Sequence, residues 1–233
     1  MDAYQKTTFS RDGYAIVPTA LSAAECDHWI TVIATLPPVE TKERRGGERN
    51  LFQRSEAIRQ LARHPVIISN VTKVLGDDCM AVRALFFDKT EGTNWSVPWH
   101  QDVTIAVRQR REVPGYGPWS VKCGIPHVQP PGAVLERMVA VRVHLDDCPL
   151  ENGPLSVLPG SHRHGILTPG TLTPWLSRFT PTVCPVPRGG LLLMRPLLLH
   201  ASSAAEYLGH RRVIHLEYAC GPLAEGLEWF ERW

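Results

Sequence analysis

"LLLMRPLLLHASSAAEYLGHRRVIHLEYAC", residues 191–220, decides the fold. Two apolar, strand-like runs flank a short polar link, and Pro196 interrupts the first of them. Gly209-His210 reads as a turn, so the strands on either side are expected to pair as an antiparallel hairpin. Further strand-like runs lie upstream: "CMAVRALFF" (79–87), "RMVAVRVHL" (137–145) and "GPLSVLPGS" (153–161). Gly, Pro, Asn and Asp separate them. Strands that follow strands, without helices between them, argue antiparallel β rather than βαβ units.

The N-terminal third has a different character. "FSRDGYAIVPTAL" (9–21) reads as a short strand entered by a Gly turn. "SAAECDHWITVIATL" (22–36) reads as a helix: Ser22 is an N-cap, Glu25 completes a capping box, and Pro37-Pro38 stops it. "SEAIRQLARHPVIISNVTKVLG" (55–76) holds helical turns on either side of Pro65, closed by Gly76. "ETKERRGGERN" (40–50) reads as a solvated, charged loop. The expectation is one domain over 1–233, mainly β, with a barrel or sandwich core and mostly helical support over 1–76.

Residues 103–133, "VTIAVRQRREVPGYGPWSVKCGIPHVQPPGA", fit neither class. Pro and Gly punctuate them densely, and a loop this long in a compact domain is usually functional. It begins directly after Asp102 and is expected to form a lid.

Composition narrows the function. Of 233 residues 43% are hydrophobic, enough for a sizeable core. Lys and Arg number 25 against 23 Asp and Glu, a net charge of +2 that supplies no basic footprint for nucleic acid. The six cysteines form no CxxC pair, which fits reduced thiols and a cytoplasmic setting. "MDAYQKTTFSRDGY" has no apolar signal core, and "LLLMRPLLLH" is too short to span a bilayer. A soluble cytoplasmic protein without membrane or nucleic-acid partners is expected; its oligomeric state is left open.

The chemistry starts at "PWHQD" (98–102). On a strand, residues i and i+2 share a face, so His100 and Asp102 would project together. His200 ends an apolar strand far downstream. Two histidines and one carboxylate can occupy one face of an octahedral metal and leave open positions, as in non-haem Fe(II) oxygenases. Such a site needs an anchor for an anionic co-substrate. Arg211 offers a planar fork for a carboxylate, and Ser202 shares the strand face of His200. Arg212 should face the other way.

"NWSVPWHQD", "ENGPLSVLPGSHRHG" and "RPLLLHASSAAEYLGHRR" resemble the phytanoyl-CoA dioxygenase family of Fe(II)/2-oxoglutarate oxygenases, over roughly residues 80–220. The resemblance implies a double-stranded β-helix (jelly-roll), Fe(II) held by His100, Asp102 and His200, and 2-oxoglutarate held by Arg211 with Ser202. It also implies O₂ as oxidant, release of succinate and CO₂, and hydroxylation of a small-molecule substrate. In related halogenases a small residue replaces the carboxylate ligand; Asp102 stands here and favours hydroxylation.

Further expectations complete the reading. In "VAVRVHL" (139–145), Val141, Val143 and Leu145 take one face while Arg142 and His144 take the barrel interior. Within the resemblance, Arg142 lies near the co-substrate and touches either 2-oxoglutarate or, the preferred reading, an anionic substrate. Lys89 is a further candidate anion contact. Trp95, Trp99, Trp119 and Tyr116 are candidates for an aromatic wall, with core packing expected for at least one. His162 and His164 are expected to hydrogen-bond at their loop. The competing functions are a zinc hydrolase on the same three ligands and an inactive binding or sensor protein on the same scaffold.

Overall fold

A computed structural model describes residues 1–37, 47–168, 172–206 and 209–233. Most of the charged loop over 40–50 falls outside the described residues. Helices α1 (Ala3–Asp12), α2 (Ala23–Ala34), α3 (Leu51–Arg54), α4 (Glu56–Ala62) and α5 (Pro65–Leu75) support the sheets. The capping box at α2 forms: Glu25 N–H donates to Ser22 Oγ at 3.3 Å, and Ser22 N–H donates to the Glu25 carboxylate at 2.7 Å. Pro65 opens α5, where its missing N–H has no partner to lose. Helix α1 was not anticipated. Its apolar content is low, and its start is set by a capping box between Asp2 and Gln5.

Two antiparallel sheets face each other. The larger runs β1 (Tyr14–Val17), β10 (Leu191–Met194), β7 (Met138–His144), β12 (Arg211–Cys220), β2 (Cys79–Lys89) in spatial order. The smaller runs β3 (Val97–His100), β11 (His200–Ser202), β8 (Leu155–Val157), β9 (Thr182–Cys184). This is the double-stranded β-helix. The hairpin expected across Gly209-His210 does not form. Strand β11 pairs with β3 and β8, whereas β12 pairs with β2 and β7. The link therefore crosses from one sheet to the other, as a jelly roll requires, and a local turn signal could not distinguish that crossing from a hairpin.

Alternation sorts the large sheet's faces. Val139, Val141, Val143, Ile214, Leu216 and Tyr218 pack in one cluster with Phe52, Leu61 and Ile67 from the helices. Each such fully buried side chain is worth about 1.5–3 kcal/mol. Tyr218 Oη donates to the Ala62 carbonyl at 2.8 Å, tying α4 to the sheet. The opposite face of the same strands looks into the barrel and carries Lys89, Arg142, His144, Arg211, His215 and Glu217, all buried. Interior apolar packing is confined largely to Ala140, Leu192, Met194, Leu155, Val157 and Leu198.

The long loop expected over 103–133 is instead folded. Strands β4 (Ile105–Ala106), β5 (Trp119–Lys122) and β6 (Ile125–Val128) form a third sheet, followed by the short helix α6 (Gly132–Leu135). Cys123 and Gly124, both with positive φ, turn β5 into β6. Val107, Val113, Tyr116 and Val128 are buried against Leu227 and Trp229 of the C-terminal segment. These long-range contacts are invisible to a local count of prolines and glycines.

Candidate metal centre

Strands β3 and β11 run side by side with His100 opposite His200, their ring centroids 4.1 Å apart. Asp102 stands just past the end of β3, anchored by its N–H donating to the Pro196 carbonyl at 2.9 Å. Its carboxylate lies 3.8 Å from His100 Nε2 and 3.6 Å from His200 Nε2. One potential ligand atom from each residue lies within 4.8 Å of the other two, the spacing of a site that can hold a metal ion.

Backbone carbonyls fix both rings. His100 Nδ1 lies 2.8 Å from the Pro98 carbonyl and His200 Nδ1 lies 2.9 Å from the Leu198 carbonyl. A carbonyl only accepts, so each Nδ1 carries the hydrogen, and Nε2, on the side of Asp102, is the nitrogen available to a metal. Burial lowers the His200 pKa to about 4, more than neighbouring Asp102 raises it. Burial pushes Asp102 up, but His200, His215, His100 and Arg83 together outweigh it and bring the carboxyl to about 2. Carboxylate and neutral imidazole are the forms a divalent metal needs.

Gln101, between the two ligands, was missed in the sequence. Its Nε2 donates to the carbonyls of Gly165 and Leu197 at 2.9 and 2.7 Å, and its Oε1 accepts from Leu167 N–H at 2.8 Å. It points away from the metal ligands and clamps their strand end to two loops.

Deeper in the barrel lie three buried cations. Register places Arg211 opposite Lys89 across β12 and β2, and Arg142 opposite His215 across β7 and β12. Lys89 Nζ donates to Ser202 Oγ at 3.2 Å and to the Ser203 carbonyl. Arg211 donates to the Gly153 carbonyl. Nε of Arg142 and Nε of Arg211 are buried without a partner among the described residues. Among the described residues, none of the three makes an ion pair with a carboxylate. Arg212 is the contrast: it faces away and holds Asp146 with two nitrogens at 2.8 and 2.6 Å. Burial, then Arg211 and Arg142, bring the Lys89 pKa down to about 7. Burial and Arg211 bring Arg142 to about 10.

The "NGP" turn builds one wall of this pocket. Gly153 sits at φ +58°, and a Cβ there would meet the Ser203 carbonyl at 2.7 Å. Glycine lets the turn approach closely, so that two carbonyls, of Gly153 and Ser203, meet Arg211 and Lys89.

Sequence reasoning also missed Arg83, His215 and Glu217. The alternation of "RRVIHLEY" carries the signal, since Arg211, Val213, His215 and Glu217 fall on one face. Arg142 Nη1 lies 3.4 Å from His215 Nδ1. Arginine only donates, so Nδ1 accepts and Nε2 carries the hydrogen toward Glu217, 3.4 Å away. Arg83 completes the chain, 3.2 Å from the same carboxylate oxygen.

The aromatic candidates separate. The Trp95 ring lies 5.8 Å from Lys89 Nζ. Tyr116 and Trp119 pack in the C-terminal core cluster instead, which corrects their assignment to a wall. His164 packs against Trp175 with tilted rings, their centroids 4.2 Å apart, and His162 lies against Gly13. Neither belongs to the metal cluster.

A jelly-roll interior that joins a two-histidine, one-carboxylate cluster to buried cations without a carboxylate partner among the described residues defines a class of metal-dependent proteins. Within it, the family model described as phytanoyl-CoA dioxygenase (PhyH) matches residues 9–213, and the chain belongs to that family. No curated protein matched the chain. Similar solved structures include the non-heme alpha ketoglutarate dependent epimerase SnoN from nogalamycin biosynthesis, at TM-score 0.69 and 20% identity, covering 94% of this chain and 82% of that one. EctD from S. alaskensis with bound Fe aligns at TM-score 0.71 and 19% identity over 94% and 77% of the two chains. HygX from Streptomyces hygroscopicus with nickel and 2-oxoglutarate bound aligns at 0.69 and 18% over 94% and 87%. At these identities the likeness establishes the fold. Among the described residues, no helix is long and apolar enough to cross a membrane.

Proposed function

We propose that the chain is an Fe(II)- and 2-oxoglutarate-dependent oxygenase that hydroxylates a C–H bond of a small molecule. One observation carries this reading: the metal-type cluster stands beside Lys89, Arg142 and Arg211, buried cations without a carboxylate partner among the described residues. Buried charge of one sign is costly unless a counter-charge enters. A zinc hydrolase has no use for such a floor, and a dianionic co-substrate does. His100, Asp102 and His200 would hold the iron; Arg211, Ser202, Lys89 and Arg142 would receive the carboxylates. Bound iron and co-substrate supply O₂ activation, with 2-oxoglutarate oxidised to succinate and CO₂ and one oxygen atom inserted into the substrate.

The chain's own residues prepare that chemistry. The Nδ1–carbonyl bonds hold both imidazoles in the metal-binding tautomer. Arg211 and Lys89 orient the distal carboxylate. The His215–Glu217–Arg83 chain, already satisfied, holds Arg142 in place. The 103–133 segment, which carries a three-stranded sheet, would serve as the cover next to Asp102.

The test is anaerobic iron loading followed by assay of succinate release with O₂. His200→Ala and Asp102→Ala should each lose stoichiometric iron and turnover, since a missing ligand breaks both affinity and open-site geometry. Full iron content and activity in His200→Ala would refute the assignment. A product one oxygen heavier than its substrate distinguishes hydroxylation from other outcomes of C–H oxidation.

A further inference from the structure

A small cavity adjoins the candidate metal ligands, lined by Asp102, Thr104, Leu135, Met138, Ala140 and Glu217 among others. Its polar walls are separate from the Lys89–Arg142–Arg211 floor. Glu217 is committed, with Arg83 at 3.2 Å and His215 at 3.4 Å. Asp102 is committed to the metal in the reading above. Thr104 Oγ1 accepts from Lys122 Nζ at 3.0 Å, so β5 of the third sheet brings an ammonium within hydrogen-bond reach of the cavity wall. Lys122 is half-buried, and no carboxylate lies within ion-pair distance of it among the described residues. Burial, then the positive charges of Arg83 and Arg49, lower its pKa, while Glu217 and Asp102 oppose them. His127, on β6 beside it, adds no charge: burial brings its pKa down to about 4. With both acids committed, Lys122 stands next to that wall as a cation whose hydrogen bond, among the described residues, goes to the Thr104 hydroxyl.

We infer that the substrate presents an anionic group, a carboxylate or a phosphate, to Lys122 and Thr104 next to Asp102. The inference rests on the oxygenase reading. It moves the substrate-anion role from Arg142, where the sequence put it, to a residue on the third sheet. Arg142 lies instead among the cations of the inner floor.

The experiment separates the two levels. Iron-loaded wild type is first assayed for iron-dependent succinate formation from 2-oxoglutarate alone; none, with or without any added compound, sinks the oxygenase reading itself. Four pools are then added separately: carboxylic acids, phosphate monoesters, primary amines and uncharged alcohols. Stimulation by the carboxylic acids or the phosphate monoesters supports the inference, and the responding pool identifies the anion. Stimulation confined to amines or alcohols, or by no pool despite basal turnover, overturns it. Hits are titrated against Lys122→Met and Lys122→Arg, with thermal melting to verify folding. Loss of a charge-assisted hydrogen bond should raise KM in Lys122→Met by about tenfold or more. Lys122→Arg should stay near wild type. An unchanged KM in a folded Lys122→Met overturns the inference, and if that variant does not fold, a Lys122→Arg KM as high as that of a folded Thr104→Val does so.

Discussion

Lys89 should make 2-oxoglutarate binding depend on pH near neutrality. The residue is 1% exposed, and its ammonium faces Arg211 from β12, Arg142 from β7, the Cys148 thiol, the Trp95 ring and the hydroxyl and carbonyl of Ser202 and Ser203. Burial and the two arginines hold its pKa at about 7 in the free protein. A bound carboxylate supplies the missing partner and raises that value. The contribution to affinity is therefore complete below pH 7 and is lost as pH rises toward the pKa of the complex. Between those limits, affinity should fall about tenfold per pH unit, or about 1.4 kcal/mol. At pH 7, binding should take up about half a proton, because Lys89 is then about half charged. Calorimetry of iron-loaded protein under nitrogen, from pH 6 to 9 in buffers of different ionisation enthalpy, reads both quantities. Lys89→Met should bind more weakly at pH 6 and show no slope. A flat wild-type profile, or a slope surviving in Lys89→Met, would refute the argument.

The remaining predictions follow from the same walls. Arg211→Ala removes a buried carboxylate anchor at about 2–5 kcal/mol, so 2-oxoglutarate affinity should drop roughly 30-fold or more. Arg212→Ala, which breaks only the pair with Asp146, should leave that affinity within a few-fold, and a reversed order would show that the barrel faces of β12 are misassigned. Gly153→Ala forces a side chain into the left-handed region at about 1–2 kcal/mol and presses on the Ser203 carbonyl. Its Tm should fall by several degrees, about 2–4 °C per kcal/mol at this size, with a higher KM for 2-oxoglutarate. An unchanged Tm and KM would show that the turn does not constrain the Lys89 pocket.

The local order of residues determined much of this protein. Period-two alternation in "RMVAVRVHL" and "RRVIHLEYAC" separates helix-facing Val141 and Leu216 from interior Arg142 and His215, because a strand's pleat leaves no choice once one face is apolar. The HxD spacing, with His200 and Arg211 downstream, marked a metal and anion chemistry from residue types alone. Helix α2 was legible because its cap is a local hydrogen-bond pattern. Tertiary structure decided the rest. The turn at Gly209-His210 carries the chain between sheets, and pairing partners so distant in sequence leave no mark on the turn itself. The Pro- and Gly-rich 103–133 folds because its apolar residues meet Leu227 and Trp229, contacts that a local window cannot contain. The excess charge at Lys122 and the missing counter-charge at Lys89 became visible only once strands far apart in sequence were brought face to face. A cation's need for a partner depends on what surrounds it in space.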